Sequence, residues 1–198
     1  GYRLTGTKAF ISGGGRSDLY LVMARTGGEG ADGVSAFLVP ADTPGLAFGA
    51  QERKLGWHSQ PTAQVILEDA FVPAENRLGA EGQGFRMAMT GLDGGRVNIA
   101  ACSLGPARAC LDAALAHLRE RRQFGRPLAD FQALQFKLAD MQTDLEAARL
   151  MVHKAAWLLD RRAPTATRQC AMAKRYATDV GFEVCNQALQ LFGGYGYL

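Results

Sequence analysis

The sequence predicts an α+β chain in which a small antiparallel β-domain, residues 1–78, is followed by an antiparallel helical bundle, residues 79–198. Two observations predict it. From Tyr2 to Val72 short β-prone runs alternate with clusters of Gly, Pro and Asp, whereas after Glu81-Gly82-Gln83-Gly84 apolar residues recur at helical spacing. A length of 198 residues admits one large or two small domains, and the change of texture near Gly82 favours two.

The clearest strands are residues 19–23, 34–39 and 63–67, each rich in Val, Ile, Leu or aromatic side chains. Gly13-Gly14-Gly15 and Gly27-Gly28-Glu29-Gly30 read as turns needing positive φ, and Thr43-Pro44-Gly45 as a tight turn with proline pre-set at its second position. None of these loops joins a strand to a helix as a dinucleotide fold or a P-loop requires, which excludes both. The first helix carries Ile99, Cys102, Ala107, Cys110, Leu111, Ala114, Leu115 and Leu118 on one face, and Phe124-Gly125-Arg126-Pro127 breaks it. The second carries Leu134, Leu138, Met141, Leu145, Ala148, Val152, Ala155 and Leu159, closed by Pro164-Thr165. The third, with Met172, Tyr176, Val180, Val184 and Leu191, runs into Gly193-Gly194, where glycine supplies a left-handed C-cap. Long helices joined by short loops make a bundle.

Composition agrees, since 47% of residues are hydrophobic and 21% charged, as in a globular protein rather than a fibre or a disordered tail. No apolar run approaches the roughly 20 residues of a bilayer span, and no charged-then-apolar leader follows Gly1-Tyr2, so neither secretion nor a membrane span is expected. Cys102, Cys110, Cys170 and Cys185 have no Cys-x-x-Cys spacing and sit in apolar helical contexts, so they are expected reduced and buried. That favours a reducing compartment, the cytoplasm or a mitochondrial matrix.

A net charge of +3, from 22 basic and 19 acidic residues, is too small to announce a polyanion partner. Arg119, Arg121, Arg122 and Arg126 cluster at one helix end, where they could serve a phosphate, a nucleic acid or the helix dipole. The arginines alternate with Glu120 and only one aromatic, Phe124, lies among them, which argues against nucleic acid. His58, His117 and His153 have no metal-ligand spacing, and no Ser-His-Asp set is suggested.

Lys8-Ala9-Phe10-Ile11-Ser12, Gly56-Trp57-His58-Ser59-Gln60-Pro61-Thr62, Glu81-Gly82-Gln83-Gly84-Phe85, Cys102-Ser103-Leu104-Gly105, Arg121-Arg122-Gln123-Phe124-Gly125 and Gln190-Leu191-Phe192-Gly193-Gly194-Tyr195-Gly196-Tyr197 occur in this order. Together they resemble the acyl-CoA dehydrogenase family over almost the entire chain. The resemblance implies a middle β-domain and an incomplete, truncated C-terminal helical bundle, without the family's N-terminal helical domain.

It also implies FAD as cofactor. The flavin ring is expected against Phe10, Ile11 and Ser12, where an aromatic face excludes water and a hydroxyl reaches the N5 edge. The alternative for these three is a strand whose serine bonds to backbone. Phosphate and ribityl contacts are expected from Arg121 and Gln123, from Phe131 and Gln132, and from Gln190, Leu191, Phe192, Gly193 and Gly194, mostly donated across a subunit interface. Guanidinium suits pyrophosphate, and the glycines let backbone amides approach. Phe131 replaces a residue more often polar in the family, so its contact is expected through backbone. Asp93, Gly94, Gly95 and Arg96 fall where family members contact the acyl-CoA.

The implied activity is FAD-dependent α,β-dehydrogenation of a short, straight or branched-chain acyl-CoA such as isobutyryl-CoA, giving the 2-enoyl-CoA. A glutamate removes the α-proton while the β-hydrogen leaves as hydride. That glutamate is expected beyond Leu198, and the alternative position, used by the isovaleryl-CoA branch, holds Gly95. Glu81, Glu120, Glu146 and Glu183 match no family position for the base, so no catalytic residue is assigned and these 198 residues are expected to be inactive alone. The implied partners are an electron-transfer flavoprotein and further copies of the chain, as a tetramer built from dimers. A flavin-binding relative without dehydrogenase activity, acting in binding or association, is the alternative.

Overall fold

Alternation of buried and exposed residues builds the first half into strands, and stripes of small apolar residues build the second into long helices. The computed structural model describes residues 1–198. It contains two compact units, Gly1–Met89 and Thr90–Leu198.

In the first unit six strands form two antiparallel sheets. β1 (Tyr2–Ser12), β5 (Thr62–Val72) and β4 (Leu46–Phe48) pair in the order β1-β5-β4, and β2 (Leu19–Arg25), β3 (Val34–Pro40) and β6 (Arg77–Leu78) in the order β2-β3-β6. Leu4, Tyr20, Val22, Phe37, Val39, Val65, Leu67, Ala70 and Val72 form the core. The three expected strands are present. The reading missed β4 and β6, which are too short to show periodicity.

β1 meets β5 with two irregularities, each a β-bulge that rotates the chain locally. At one, Asp69 takes φ 51°; at the other, Phe10 takes φ 56° between the pairs Lys8↔Val65 and Ile11↔Ala63. Positive φ holds at Gly13, Gly15, Gly30 and Gly45. It does not hold at Gly14, Gly27 or Gly28, so each glycine cluster uses fewer left-handed residues than expected.

In the second unit α1 (Gly84–Glu120, which begins in the first unit), α2 (Gln132–Asp160) and α3 (Ala166–Leu191) share one core. α1 runs unbroken through Gly91, Gly94, Gly95 and Pro106. Its buried stripe is Ala100, Ala107, Leu111, Ala114 and Leu118, whereas Ile99 and Cys102 are exposed, against expectation. α2 buries Met141, Leu145, Ala148, Val152 and Ala155, as its periodicity requires. α3 buries Cys170, Ala173, Ala177, Val180, Val184, Ala188 and Leu191. Met172 lies outside that stripe and is exposed, and Cys110 and Cys185 are half-buried.

Small residues on α3 let α1 approach closely: a Cβ on Gly181 would stand 3.0 Å from the carbonyl oxygen of Ser103. Over its most apolar 18 residues α1 reaches a mean hydropathy of 1.3, so by length and composition alone it could cross a bilayer, which the sequence reading overlooked. Its stripe is packed in this unit's core.

Candidate functional site

α1 stops at Glu120, and the next amide, of Arg121, still donates to the His117 carbonyl at 2.8 Å. The chain then reverses in a two-residue hairpin between β7 (Arg122–Gln123) and β8 (Arg126–Pro127). Phe124 at φ 54° and Gly125 at φ 82° occupy its centre, the left-handed pair that a type I′ turn demands. The sequence reading took this segment as a simple helix break. The Leu128 amide donates to the Arg121 carbonyl at 2.8 Å and closes the hairpin. Phe131 caps the entry to α2 in an extended conformation.

α3 ends nearby. Gly193 adopts φ 58°, the expected left-handed residue, and a 3-10 turn over Gly193–Tyr197 follows. The His117 ring stacks on Phe192 with centroids 4.6 Å apart, and the Arg121 guanidinium stands 5.7 Å from the Tyr195 ring centroid. The ends of α1 and α3 and the start of α2 thus frame an open groove of about 800 Å³.

Arg121, Gln123, Gln190, Leu191, Phe192, Gly193 and Gly194 all line this groove. Seven residues from two distant motifs therefore meet in one place. Sequence reasoning missed His117, Lys137 and Tyr195, which line it too. His117 had a signal, one helical turn before Arg121 on the same face; Lys137 had none. Phe131 and Gln132 do not line the groove. The Phe131 ring is occupied instead, with Arg126 4.1 Å above its centroid and Phe124 edge-on at 6.1 Å.

The lining is suited to an anion. It offers a guanidinium, an ammonium and two carboxamides, and no acidic side chain. A Cβ at Gly193 or Gly194 would meet nothing within 4 Å, so the backbone there is open to a ligand.

In the first unit, the bulge turns the Phe10 ring outward, 74% exposed, while Ile11 packs against the sheet core. Ser12 pairs with Thr62 in the ladder and is exposed, and its hydroxyl makes no hydrogen bond within the chain. The turn that follows is fixed from two sides. Tyr20 Oη donates to the Gly13 carbonyl at 3.0 Å, and Gln51 Nε2 donates to that of Gly14 at 2.8 Å. A non-glycine residue in the left-handed region is uncommon and marks a place where surrounding structure dictates direction.

Gly94 and Gly95 lie on α1 with open space where a side chain would be. Asp93 is different. It is 8% exposed, and both carboxylate oxygens are engaged: Arg96 Nη1 donates to Oδ1 at 2.6 Å and Thr167 Oγ1 donates to Oδ2 at 2.6 Å. Its expected role as a direct substrate ligand does not fit a carboxylate so enclosed; Arg96 is the partly exposed member of the pair. Burial, and then the nearby Asp93 carboxylate, push the Cys170 thiol above its usual range. No group of three or more His, Cys, Asp or Glu side chains could hold a metal ion.

Comparison with known proteins gives the family. The family model for the acyl-CoA dehydrogenase middle domain matches residues 1–70, and that for the acyl-CoA dehydrogenase C-terminal domain matches residues 82–198. The chain is 58% identical to the mitochondrial isobutyryl-CoA dehydrogenase of Dictyostelium discoideum and 57% identical to that of Bos taurus. All of this chain is matched in each, and 48% and 47% of those proteins, so the chain spans about half their length. Butyryl-CoA dehydrogenase from Megasphaera elsdenii shares the fold at TM-score 0.94 and 47% identity, covering all of this chain and 51% of that one. A chain in a structure of the electron transferring flavoprotein of Acidaminococcus fermentans does so at 0.93 and 49%, covering all of this chain and 52% of that one. With both domain models matched in order along its length, the chain belongs to the acyl-CoA dehydrogenase family.

Proposed function

We propose that this chain forms part of an FAD-dependent dehydrogenase that oxidises a short acyl-CoA, branched chains included, to the 2-enoyl-CoA, with isobutyryl-CoA as its first candidate substrate. The observation that carries this reading is the groove at the ends of α1 and α3, where two separated motifs supply anion-binding groups without an acidic side chain. Identity of 57–58% to isobutyryl-CoA dehydrogenases supports the substrate.

The family is FAD-dependent, and the anion-binding groups of the groove support a diphosphate as its occupant. Arg121 and Gln123 would hold its oxygens, with Gln190 and the open backbone at Gly193 and Gly194 completing the cradle. On this reading they serve the cofactor of a neighbouring subunit. When bound, FAD supplies the hydride acceptor of the reaction. Phe10 excludes water from that acceptor, and the unengaged Ser12 hydroxyl is available to its edge. Arg96 orients the acyl-CoA. The base that takes the α-proton is proposed to lie outside residues 1–198, and these residues alone to be inactive, because Gly95 offers no carboxylate at the alternative position.

Phe136, Trp157, Phe182 and Leu189, all more than half exposed on α2 and α3, support a homo-oligomer. The similarity to a chain in the electron transferring flavoprotein structure supports such a flavoprotein as electron acceptor. In a eukaryote the enzyme would act in the mitochondrial matrix, in a bacterium in the cytoplasm. The full-length protein, loaded with FAD and titrated anaerobically with isobutyryl-CoA, butyryl-CoA and 2-methylbutyryl-CoA, tests the proposal. Bleaching of the flavin absorbance strongest with isobutyryl-CoA is expected, and no bleaching with any of the three would overturn it.

A further inference from the structure

Arg96 can serve an acyl-CoA only if its guanidinium is held in place, and the structure shows what holds it. The side chain is about one-third exposed, and its one hydrogen bond within the chain goes to Asp93 Oδ1. Its other N–H donors make no hydrogen bond within the chain, and the partly exposed guanidinium has donors left for a ligand. Asp93 itself is nearly buried in α1, three residues before Arg96, where a carboxylate free to change rotamer would swing the guanidinium with it. Its second oxygen is pinned from another helix by Thr167 Oγ1, in the first turn of α3. Cys170, one turn further along α3, is fully buried.

We propose that Thr167 is a positioning residue for substrate binding: its hydroxyl fixes Asp93 so that the Arg96 guanidinium is presented to the acyl-CoA in one orientation. This rests on the dehydrogenase reading above and deepens it. Without the Thr167 hydroxyl, Asp93 Oδ2 loses its one donor, and the ion pair turns to recover one. The guanidinium then meets substrate in several orientations, and affinity falls because ordering is left to the binding step. Asp93 and Thr167 act through Arg96 and need touch no substrate.

The test uses the full-length protein loaded with FAD. Equilibrium binding of a non-oxidisable acyl-CoA analogue is followed through the flavin spectrum, with flavin content and thermal midpoint recorded alongside. Removing one hydrogen bond to a charged group corresponds to about a tenfold effect, so Thr167→Val is expected to raise the analogue Kd about tenfold. Flavin content and kcat at saturating substrate should stay within about twofold, and Thr167→Ser, which keeps the donor, should bind like wild type. Asp93→Asn, which keeps the shape and loses the charge, should raise Kd at least as much and provides the measurement if Thr167→Val does not fold. Wild-type binding with Thr167→Val or Asp93→Asn unchanged overturns this proposal alone. A wild-type protein that binds FAD and no acyl-CoA analogue overturns the dehydrogenase reading, and this inference with it.

Discussion

The two units present their candidate residues by opposite means. In the β-unit the chain presents them by breaking its own regularity: a bulge at Phe10 and a left-handed residue push one ring into solvent while its neighbour Ile11 stays on the core. In the helical unit regularity does the presenting, because α1 and α3 end together and whatever follows their last turns converges on one groove. The difference teaches where each unit is fragile. A strand site depends on a single backbone distortion, whereas a helix-end site depends on the packing of whole helices.

The sharpest way to break the comparison is within the β-unit. Phe37 is fully buried and Phe10 mostly exposed. Phe37→Ala should destabilise the protein by about 3–5 kcal/mol, as for other buried aromatic truncations. Phe10→Ala should change stability by less than about 0.5 kcal/mol. Denaturant unfolding of the two variants measures both, and a large loss for Phe10→Ala would mean that its ring supports the fold.

The next effect lies at the helix ends. Arg121→Ala should weaken FAD binding by about 1.5–3 kcal/mol, the range for a hydrogen bond to a charged group. Arg119→Ala, two residues earlier in the last turn of α1 and outside the groove lining, should leave it unchanged. Flavin fluorescence during titration of the apoprotein reads both. Equal losses would mean that the arginine cluster acts only through its summed charge.

Two glycine substitutions sharpen the distinction further, by smaller amounts. Gly193→Ala forces a Cβ into the left-handed region at φ 58° and should cost about 1–2 kcal/mol. Gly95→Ala, in mid-helix with nothing within 4 Å of the new Cβ, should stabilise by about 0.5–1 kcal/mol. Thermal unfolding decides the signs; a destabilised Gly95→Ala would show that α1 needs its glycine for something other than helix geometry.

Much of this was legible in the sequence because it depends on period and punctuation. α2 shows its buried stripe at regular spacing, and Gly193 marks its own left-handed cap. Other parts depend on packing that no local pattern reports. The first half of the α3 stripe is Cys170, Ala173 and Ala177 instead of the larger Met172, because close helix approach selects small residues. The hairpin of β7 and β8 was lost inside a helix-break signal, since two-residue strands carry no period. The groove followed from motifs that resemble a family, but Lys137, on α2, lies in none of those motifs. Asp93 was read as a ligand because its segment falls where family members contact the acyl-CoA; its partner Thr167 is 74 residues away in the chain.

The most direct test of the account is a crystal structure of the full-length protein grown with FAD. The diphosphate is expected within hydrogen-bond distance of Arg121 and Gln123, donated by one subunit, with the isoalloxazine of that same cofactor beside Phe10 and Ser12 of the other. Flavin density elsewhere, with the groove filled only by solvent, would contradict it.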